Sequence, residues 1–398
     1  MSRGLICQGS MRQGSMRRCQ PLALLWVLLL VSGSGCARFR KPPPAPPKTA
    51  SDALVFNDVT LEQADEAGKR LWTLRARQAT YSASGKQAKM TQPQGKLFNG
   101  QQELYEVEAA EGEVNQDGEA VFLRQQVVVQ DLRDGATIRA DEAEWRPKES
   151  VLILRGNLIG NQADAEVRAS EGAWQDQTNQ VLLTGAPVKM SLGKQRLKLE
   201  TEVLTWDIAQ EQVVSDPGEL GKADRALQIQ QFSEKKSTQV IRTAKSGRGE
   251  VDLKTQEVVL RNNARLNFVE PPLDIVSDGL RWQTQTDRVK SEARVTVTDR
   301  VEKVTIAGDR GDADLAQEVV EFTGNVRGVA ELRQSRIRAD RLKWFSATQD
   351  VEAQGNVTYA QVQPPLEVSG PKAVGNLNAE QVRMTGGNVK TTVIPLDN

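Results

Sequence analysis

Ile138-Arg-Ala-Asp-Glu-Ala-Glu-Trp145 and Ile337-Arg-Ala-Asp-Arg-Leu-Lys-Trp344 share one pattern, and this pattern decides the fold. In each stretch a small residue lies two positions after an apolar one. Another apolar or small residue follows three positions later, and tryptophan two positions after that. Val167–Trp174, Leu199–Trp206 and Ile275–Trp282 keep the same order. The chain is therefore built from an internal repeat.

The repeat has a period near 31 residues. With weaker copies included, the tryptophan position recurs about ten times, 29 to 33 residues apart except for one spacing of 45. The equivalent positions are Tyr81, Val114, Trp145, Trp174, Trp206, Val251, Trp282, Ala313, Trp344 and Gly375. A fixed period of this length predicts stacked supersecondary units rather than separate globules. The long spacing marks an insertion at 215–240.

Alternation inside each unit predicts β-strands. Apolar residues recur every second position from Ile138 and again up to Trp145, but the phase slips by one near Asp141. Such a slip is typical of a β-bulge that keeps both halves of the strand facing one side. A second apolar strand follows and often closes on a predicted Gly-Asn turn, at Gly156-Asn157, Gly324-Asn325 and Gly355-Asn356. We therefore predict an all-β body with two strands of about six to nine residues in each unit.

The composition argues against an enzyme. The 398 residues include no histidine, which removes the commonest general base and the commonest transition-metal ligand. Lys+Arg and Asp+Glu number 52 each, so no overall charge favours nucleic acid. The three cysteines, Cys7, Cys19 and Cys36, all lie near the start and cannot form a disulfide framework or a metal site in the body. With no phosphate-binding glycine loop and no distinctive acidic pair, we predict no catalytic residues, no metal and no cofactor.

The N-terminus predicts export and a lipid anchor. Arg17 and Arg18 precede the apolar run Leu22–Val31, small residues follow, and then comes Cys36. This order is typical of a signal peptide over residues 1–35, with Met16 as an alternative start. Cys36 would then be the first mature residue, as in a bacterial lipoprotein; the alternative is simple cleavage with an incidental cysteine. Residues 36–51 carry this anchor and a proline-rich, semi-rigid linker.

Three features, two of them recurring, have structural as well as functional interpretations. The repeated tryptophan fits core packing or a groove wall better than ligand stacking, because it recurs at one position. The repeated aspartate, as at Asp141, fits a bulge residue better than a catalytic or metal-binding one. Gly308–Asp314 could be a calcium loop or an Arg-Gly-Asp adhesion tripeptide, but it also aligns with the ordinary repeat.

The repeats resemble the OstA-like repeats of the LptC/LptA lipopolysaccharide-transport family. The resemblance is carried by Ala140–Trp145 and by Ala339–Trp344 with Gly355-Asn356-Val357. The first copy, from Phe56–Val59 through Leu71–Ala76 to Tyr81, resembles the beginning of LptC, and the likeness covers residues 52–398. It implies an elongated, open, twisted β-jellyroll, taco-like in section, of about ten two-strand repeats. We expect LptC-like repeats over 52–214, a joint at 215–240 and OstA/LptA-like repeats over 241–398.

The resemblance implies a carrier of lipopolysaccharide or a related glycolipid, on the periplasmic face of the inner membrane. Lipid would come from LptF/LptG-like periplasmic domains of an ABC transporter. An LptA-like bridge or an outer-membrane LptD-like protein, joined by edge-to-edge strand pairing, would receive it. LptC itself is shorter and held by a spanning helix, so this longer chain would merge the LptC role with part of the LptA bridge. The alternative is a structural or adhesive periplasmic β-solenoid without lipid cargo.

The inward face predicts which residues would line the lipid groove. If each unit adds one strand to each sheet, ten units span about 48 Å. The predicted lining residues are Leu74, Ala76, Ala79, Tyr81, Ile138, Ala140, Ala143, Trp145, Val167, Ala169, Trp174, Leu199, Leu204, Trp206, Ile275, Leu280, Trp282, Ile337, Ala339, Leu342 and Trp344.

Overall fold

The computed structural model describes residues 54–82, 84–115, 120–216, 227–236, 238–379 and 381–393, all within one compact unit, Ser51–Asn398. The predicted signal peptide, Cys36 and the proline-rich linker lie outside the described residues. Every regular element in the described ranges is a strand, and none of their residues form a helix long and apolar enough to cross a membrane. The all-β prediction is confirmed.

The strands are β1 (Leu54–Ala64), β2 (Arg70–Tyr81), β3 (Gln87–Thr91), β4 (Gln94–Asn99), β5 (Gln102–Glu108), β6 (Glu111–Asn115), β7 (Val121–Asp131), β8 (Thr137–Arg146), β9 (Val151–Gln162), β10 (Ala165–Gln175), β11 (Gln180–Leu192), β12 (Leu197–Asp207), β13 (Gln212–Ser215), β14 (Leu227–Phe232), β15 (Val240–Ser246), β16 (Arg248–Asp252), β17 (Glu257–Phe268), β18 (Leu273–Gln283), β19 (Arg288–Ser291), β20 (Val295–Asp299), β21 (Val304–Gly308), β22 (Arg310–Asp314), β23 (Val319–Ala330), β24 (Ser335–Phe345), β25 (Asp350–Gln361), β26 (Leu366–Asn376), β27 (Gln381–Thr385) and β28 (Lys390–Val393).

These strands form one antiparallel ladder in sequence order. From β7 to β12, each strand pairs with the next. From β23 to β26 the same holds. At other levels of the ladder, two short strands lie end to end in place of one long strand. Thus β2 pairs with β3 through one half and with β4 through the other. In the same way β12 pairs with β13 and β14, β18 with β19 and β20, and β26 with β27 and β28. Within the predicted joint at 215–240, β14 pairs with β12 and β15, so the ladder continues through this segment.

Each long strand folds back so that its two halves face each other. Tyr105 pairs opposite Asp131 and Trp145 pairs opposite Val121, at the two ends of β7. Ten residues of extended strand cover about 33 Å. The ring centroids of Tyr105 and Trp145 are nevertheless 5.7 Å apart. The ladder is therefore folded along its length into two facing sheets, as the predicted jellyroll requires.

The fold line, which we call the corner, is made by the repeated Asp, Gly and Asn residues. The register of β8 against β9 breaks between Arg139 and Glu142, next to Asp141, as predicted for a bulge. On the neighbouring strand β9, Gly156 and Asn157 both have positive φ, 76° and 46°. Glycine and asparagine adopt this conformation at the lowest cost, and two such residues in succession bend a strand. The side-chain amide of Asn157 donates to Asp141 at 2.7 Å.

Two expectations about the units are wrong. The Gly-Asn pairs lie inside β9, β23 and β25 rather than in turns, because the strands cross the corner there. The strands are also longer than predicted; β9, β23 and β25 have 12 residues each. Since both strands of a unit cross both sheets, each unit adds two strands to each sheet. The predicted span of about 48 Å therefore roughly doubles, to about 100 Å.

The core fills the space between the two sheets. One continuous cluster of buried apolar residues extends from Trp72 in β2 to Val351 in β25. A smaller cluster follows, made of Ala339, Ala353, Val357 and Ala373. Because strand side chains alternate, the other face of each sheet carries the exposed Arg, Lys, Glu and Gln residues. This closed packing positions the candidate site described next.

Candidate functional site

The residues predicted to line a groove all face the interior. Eighteen of the twenty-one are buried, and Tyr81, Ala169 and Ile337 are half-buried. The five tryptophans of the strong repeats share one environment, with exposed fractions of 0 to 4%. Trp72, which the groove prediction omitted, is 3% exposed. These residues therefore lie on the interior side of the sheets, which is packed over most of the ladder; that they line a lipid groove stays a prediction.

Aromatic rings close the interior near the N-terminal end of the ladder. The ring of Tyr105 contacts Trp145 at 5.7 Å and Trp174 at 5.3 Å between centroids, both edge-on. The Trp174 indole N–H donates to Asn179 Oδ1 at 3.1 Å. Burial raises the pKa of the Tyr105 phenol well above its usual range, against the opposing effect of the Arg133 guanidinium. The phenol therefore stays protonated at physiological pH.

Opposite the corner, the turns of the two sheets face each other along a line that we call the seam. Arg133, on the turn between β7 and β8, donates to Asp131 at 2.5 Å and to Asp176 at 2.6 Å. Asp176 lies on the turn between β10 and β11, which belongs to the other sheet. Asn179 on the same turn donates to Asp134 at 3.3 Å. Charged and polar side chains thus hold the seam shut at this point.

Similar contacts recur along the seam. The side-chain amide of Gln195 donates to the Leu253 carbonyl at 3.0 Å. Further on, Arg242 donates to Asp287 at 2.7 Å and Arg333 donates to Asn378 at 2.7 Å. Each contact joins residues far apart in sequence that lie on opposite sheets. Three of the seam contacts join residues 45 positions apart, Asn179 with Asp134, Arg242 with Asp287, and Arg333 with Asn378, but their residue types differ, so the repeat alone does not predict them.

A cavity of about 240 Å³ opens at the C-terminal end of the ladder. Of the predicted groove residues, Ile337 and Leu342 line it. Others line two far smaller spaces of about 10 Å³, one at Ile138 and one at Ile275. The sequence prediction missed most of the large cavity, whose further lining residues include Val304, Ile306, Gly328, Ala330, Arg333, Gln334, Arg336, Val351, Tyr359, Gln361, Ala373, Gly375 and Gln381.

Most of these missed residues lie on strands other than the tryptophan-bearing ones. Val304 and Ile306 belong to β21, and Tyr359 belongs to β25. Their alternating apolar positions were a usable signal, but only the pairing shows which of them converge. Over the described residues, no group of three or more His, Cys, Asp or Glu side chains could hold a metal ion.

The stretch Gly308–Asp314 lies in the ladder like its equivalents in other units. β21 and β22 flank Asp309, and both pair with β23. The Asp309 carboxylate accepts a hydrogen bond from Asn325 at 2.6 Å, as the other corner aspartates do from their asparagines. The geometry therefore fits the ordinary repeat.

The chain is similar in sequence to one protein family. A family model described as "Lipopolysaccharide-assembly, LptC-related" matches residues 22–153 and 227–331, more than half of the chain. A comparison with curated proteins gives no match. Among solved structures, the chain is similar to LptH of Pseudomonas aeruginosa, described as the LptA homologous periplasmic component of the lipopolysaccharide transport device. The identity is 14%, the TM-score is 0.18, and the match covers 39% of this chain and 80% of that chain. On the family match, the chain belongs to the LptC-related family of lipopolysaccharide-assembly proteins.

Proposed function

We propose that this member of the family carries lipopolysaccharide, or a related glycolipid, from an ABC transporter at the inner membrane towards the outer membrane. The observation that supports this most is the interior itself. Among the described residues it is lined by two successive apolar clusters, one from Trp72 to Val351 and a smaller one that includes Ala373, and a cavity opens at its C-terminal end. Such an interior suits acyl chains, while sugars stay in water outside.

The physical advantage for the lipid is the removal of acyl surface from water. Each Å² of apolar surface transferred contributes about 25 cal/mol. The energy for directional movement would come from ATP hydrolysis by the transporter, since we expect no catalytic step in this chain.

The two ends of the ladder support edge-to-edge partners. Among the described residues, β1 pairs with β2 alone, while β27 and β28 pair with β26 alone. Leu54, Val55 and Phe56 at the start of β1 are about half-exposed. Free edges of this kind accept an added strand from another protein. LptF/LptG-like domains would pair at one end, and an LptA-like or LptD-like protein at the other.

Photo-crosslinking in cells tests the carrier function. A crosslinking residue at Ile337, which lines the cavity, should capture lipopolysaccharide, and so should the inward positions Ile138 and Ile275 when lipid passes. The outward neighbours Arg139 and Arg338 are the matched controls and should capture none. Capture should fall when the transporter ATPase is inactivated. Equal labelling of both sets, or none in either, would contradict the proposal.

A structural β-solenoid without cargo is the second candidate. It is favoured by the close packing around Tyr105, Trp145 and Trp174, where no room for an acyl chain exists unless the sheets move apart. The same experiment separates the two candidates. A solenoid without cargo would give no lipid adduct at Ile337 even with an active transporter.

The lipid anchor is tested separately. If Cys36 carries acyl chains, Cys36→Ser should release the protein into the soluble periplasmic fraction, because each buried CH₂ contributes about 0.8 kcal/mol to attachment. Membrane association as firm as that of the parent protein after a high-salt wash would rule out this anchor.

A further inference from the structure

We propose that the C-terminal cavity binds an acyl chain that bears a phosphate group, with the tail between the sheets and the phosphate at Arg333. This proposal extends the proposed function, since it assigns one place and one headgroup chemistry to the lipid.

The cavity lies where the tryptophan position of the repeat is taken by glycine, the smallest residue found at that position. Val351 in β25 pairs opposite Trp344 on one side and opposite Gly375 on the other. Gly375 therefore occupies the position of the next tryptophan, and it lines the cavity. Around it the residues are small, including Gly328, Ala330 and Ala373. The space that an indole fills in the strong repeats is left open here.

The walls of the cavity are apolar on the inside. Ile306 and Leu342 are 2% exposed, and Ile337 between them is half-buried. Farther out the lining becomes polar, with Gln334, Gln361 and Gln381. An apolar base with a polar rim fits a molecule that has one apolar and one polar end.

Arg333 gives the rim its charge. Its side chain is 16% exposed, and Nη2 donates to Glu302 at 3.2 Å and to Asn378 at 2.7 Å. Nη1 is enclosed and has no acceptor among the described residues. The charged side chains among the described lining residues are Arg333 and Arg336, with no carboxylate. With Glu302 paired to Arg333, the rim keeps one positive charge in excess, which favours an anion.

Arg133 shows what a fully satisfied seam arginine looks like. Its guanidinium is shared between the carboxylates of Asp131 and Asp176, and the ring of Tyr105 lies beneath it at 5.4 Å. At Arg333 the contact across the seam is the neutral amide of Asn378. Arg333 thus contacts one carboxylate, that of Glu302, where Arg133 contacts two. A phosphate at the rim would supply the second anion, and guanidinium binds phosphate oxygens in a bidentate manner.

Binding of dodecyl phosphate to the purified protein, below its micelle concentration, tests the proposal by titration calorimetry. Dodecyl phosphate should bind about tenfold or more tightly than neutral dodecyl maltoside, as expected for hydrogen bonds to a charged group. Arg333→Gln should abolish this preference. Arg338→Gln, which removes the same charge from the outward face of the next strand, should preserve it. Equal effects of the two variants would overturn the proposal.

A second variant tests the tail. Ile337→Phe adds bulk to the cavity wall and should weaken both ligands about equally, with tryptophan emission confirming that the fold is retained. Inorganic phosphate alone should bind far more weakly than dodecyl phosphate; equal affinity would indicate a site for free phosphate and would overturn the lipid assignment.

Two competition experiments, each with a different competitor of dodecyl phosphate, identify the source of the phosphate. Displacement of dodecyl phosphate by a phosphorylated glycolipid, or by phosphatidic acid in vesicles, would support the site and name its ligand. Displacement by neither would contradict it. If the parent protein shows no preference for dodecyl phosphate but a crosslinker at Ile337 still captures lipid in cells, this inference alone is overturned. Phosphate-dependent binding without crosslinking in cells would overturn the transport function alone.

Discussion

Arg133 and Asp176 lie 43 residues apart in sequence and on opposite sheets, yet the guanidinium donates to the carboxylate at 2.6 Å. Arg133 also bonds Asp131, whose side chain is fully buried. One arginine therefore neutralises two enclosed carboxylates and holds the seam shut beside the aromatic cluster of Tyr105, Trp145 and Trp174.

Removing this arginine should be strongly destabilising. Arg133→Ala leaves Asp131 and Asp176 without their cation, and breaking a buried pair in this way costs about 3–5 kcal/mol. We expect a clear fall in the urea midpoint followed by tryptophan fluorescence. Arg124→Ala is the control, because Arg124 is 44% exposed and its bond to Glu113 lies on the surface. That change should cost less than about 1 kcal/mol. Equal midpoints for the two variants would show that the seam contact is not stabilising.

The stability of the protein should depend on the ionisation of Glu144. Burial acts to raise the pKa of this carboxyl, but hydrogen bonds from Arg146 at 2.6 Å and Arg155 at 3.1 Å outweigh it and hold the pKa below its ordinary value of 4.5. A carboxyl whose pKa is lowered in the folded state contributes its full stabilisation when the pH is above the pKa of the unfolded state. That contribution to stability is lost as the pH falls through the pKa of the folded state.

Thermal unfolding of Glu144→Gln checks this dependence. The variant should melt below the parent at pH 7, and the difference should shrink as the pH falls below about 4.5. Glu62→Gln, on the exposed side of β1, should have the same melting temperature as the parent at both pH values. A difference that stays constant from pH 7 to pH 3 would mean that the charge of Glu144 contributes nothing.

The repeat made much of the fold predictable from sequence. Alternation at Ile138 and Trp145, with a phase slip at Asp141, is strong enough to give the strands, the bulge and the buried face. The Gly-Asn pairs predict turns on sequence alone because the same dipeptides are common in hairpin turns and in bulges, which both need positive φ. Only the pairing of β9 along its whole length distinguishes the two.

The candidate site was predictable only in part. The inward face follows from local alternation, so Ile337 and Leu342 were identified. The cavity depends on Gly375 lying where the strong repeats have tryptophan, and on Val304 and Tyr359 reaching the same place from other strands. The seam contacts use different residue types from one place to the next, although three of them join residues 45 positions apart. Such tertiary contacts leave no local periodic signal in the sequence.

The repeat tryptophans should be the costliest apolar residues to remove. Trp282 is 1% exposed in the middle of the ladder. Trp282→Ala should cost about 3–5 kcal/mol through lost burial and the cavity left behind. Leu332→Ala, at a leucine that is 66% exposed, should change the free energy of unfolding by less than about 0.5 kcal/mol. Acrylamide quenching of the parent protein should be weak and its emission blue-shifted. Emission typical of exposed indoles would contradict the inward orientation.

The corner makes a sharper prediction, because it combines backbone strain with a side-chain contact. Gly324 has a φ of +80°, and a Cβ added there would lie 2.8 Å from Asp309 Oδ2. Gly324→Ala should therefore cost about 1–2 kcal/mol from the left-handed conformation alone, with the clash in addition. Gly279→Ala is the matched control, since that glycine has ordinary φ and its Cβ would meet nothing within 4 Å.

A double-mutant cycle separates the two effects. Asp309→Ala on its own loses the hydrogen bond from Asn325, which is 2.6 Å long. In the presence of Gly324→Ala it also removes the clashing carboxylate, so the double variant should be more stable than the sum of the two single changes predicts. The coupling should fall between about 0.5 and 3 kcal/mol, as for residues in direct contact. Additive costs, measured from thermal midpoints, would mean that the carboxylate does not lie over the glycine. The Asp-Gly-Asn corner would then be held by backbone conformation alone.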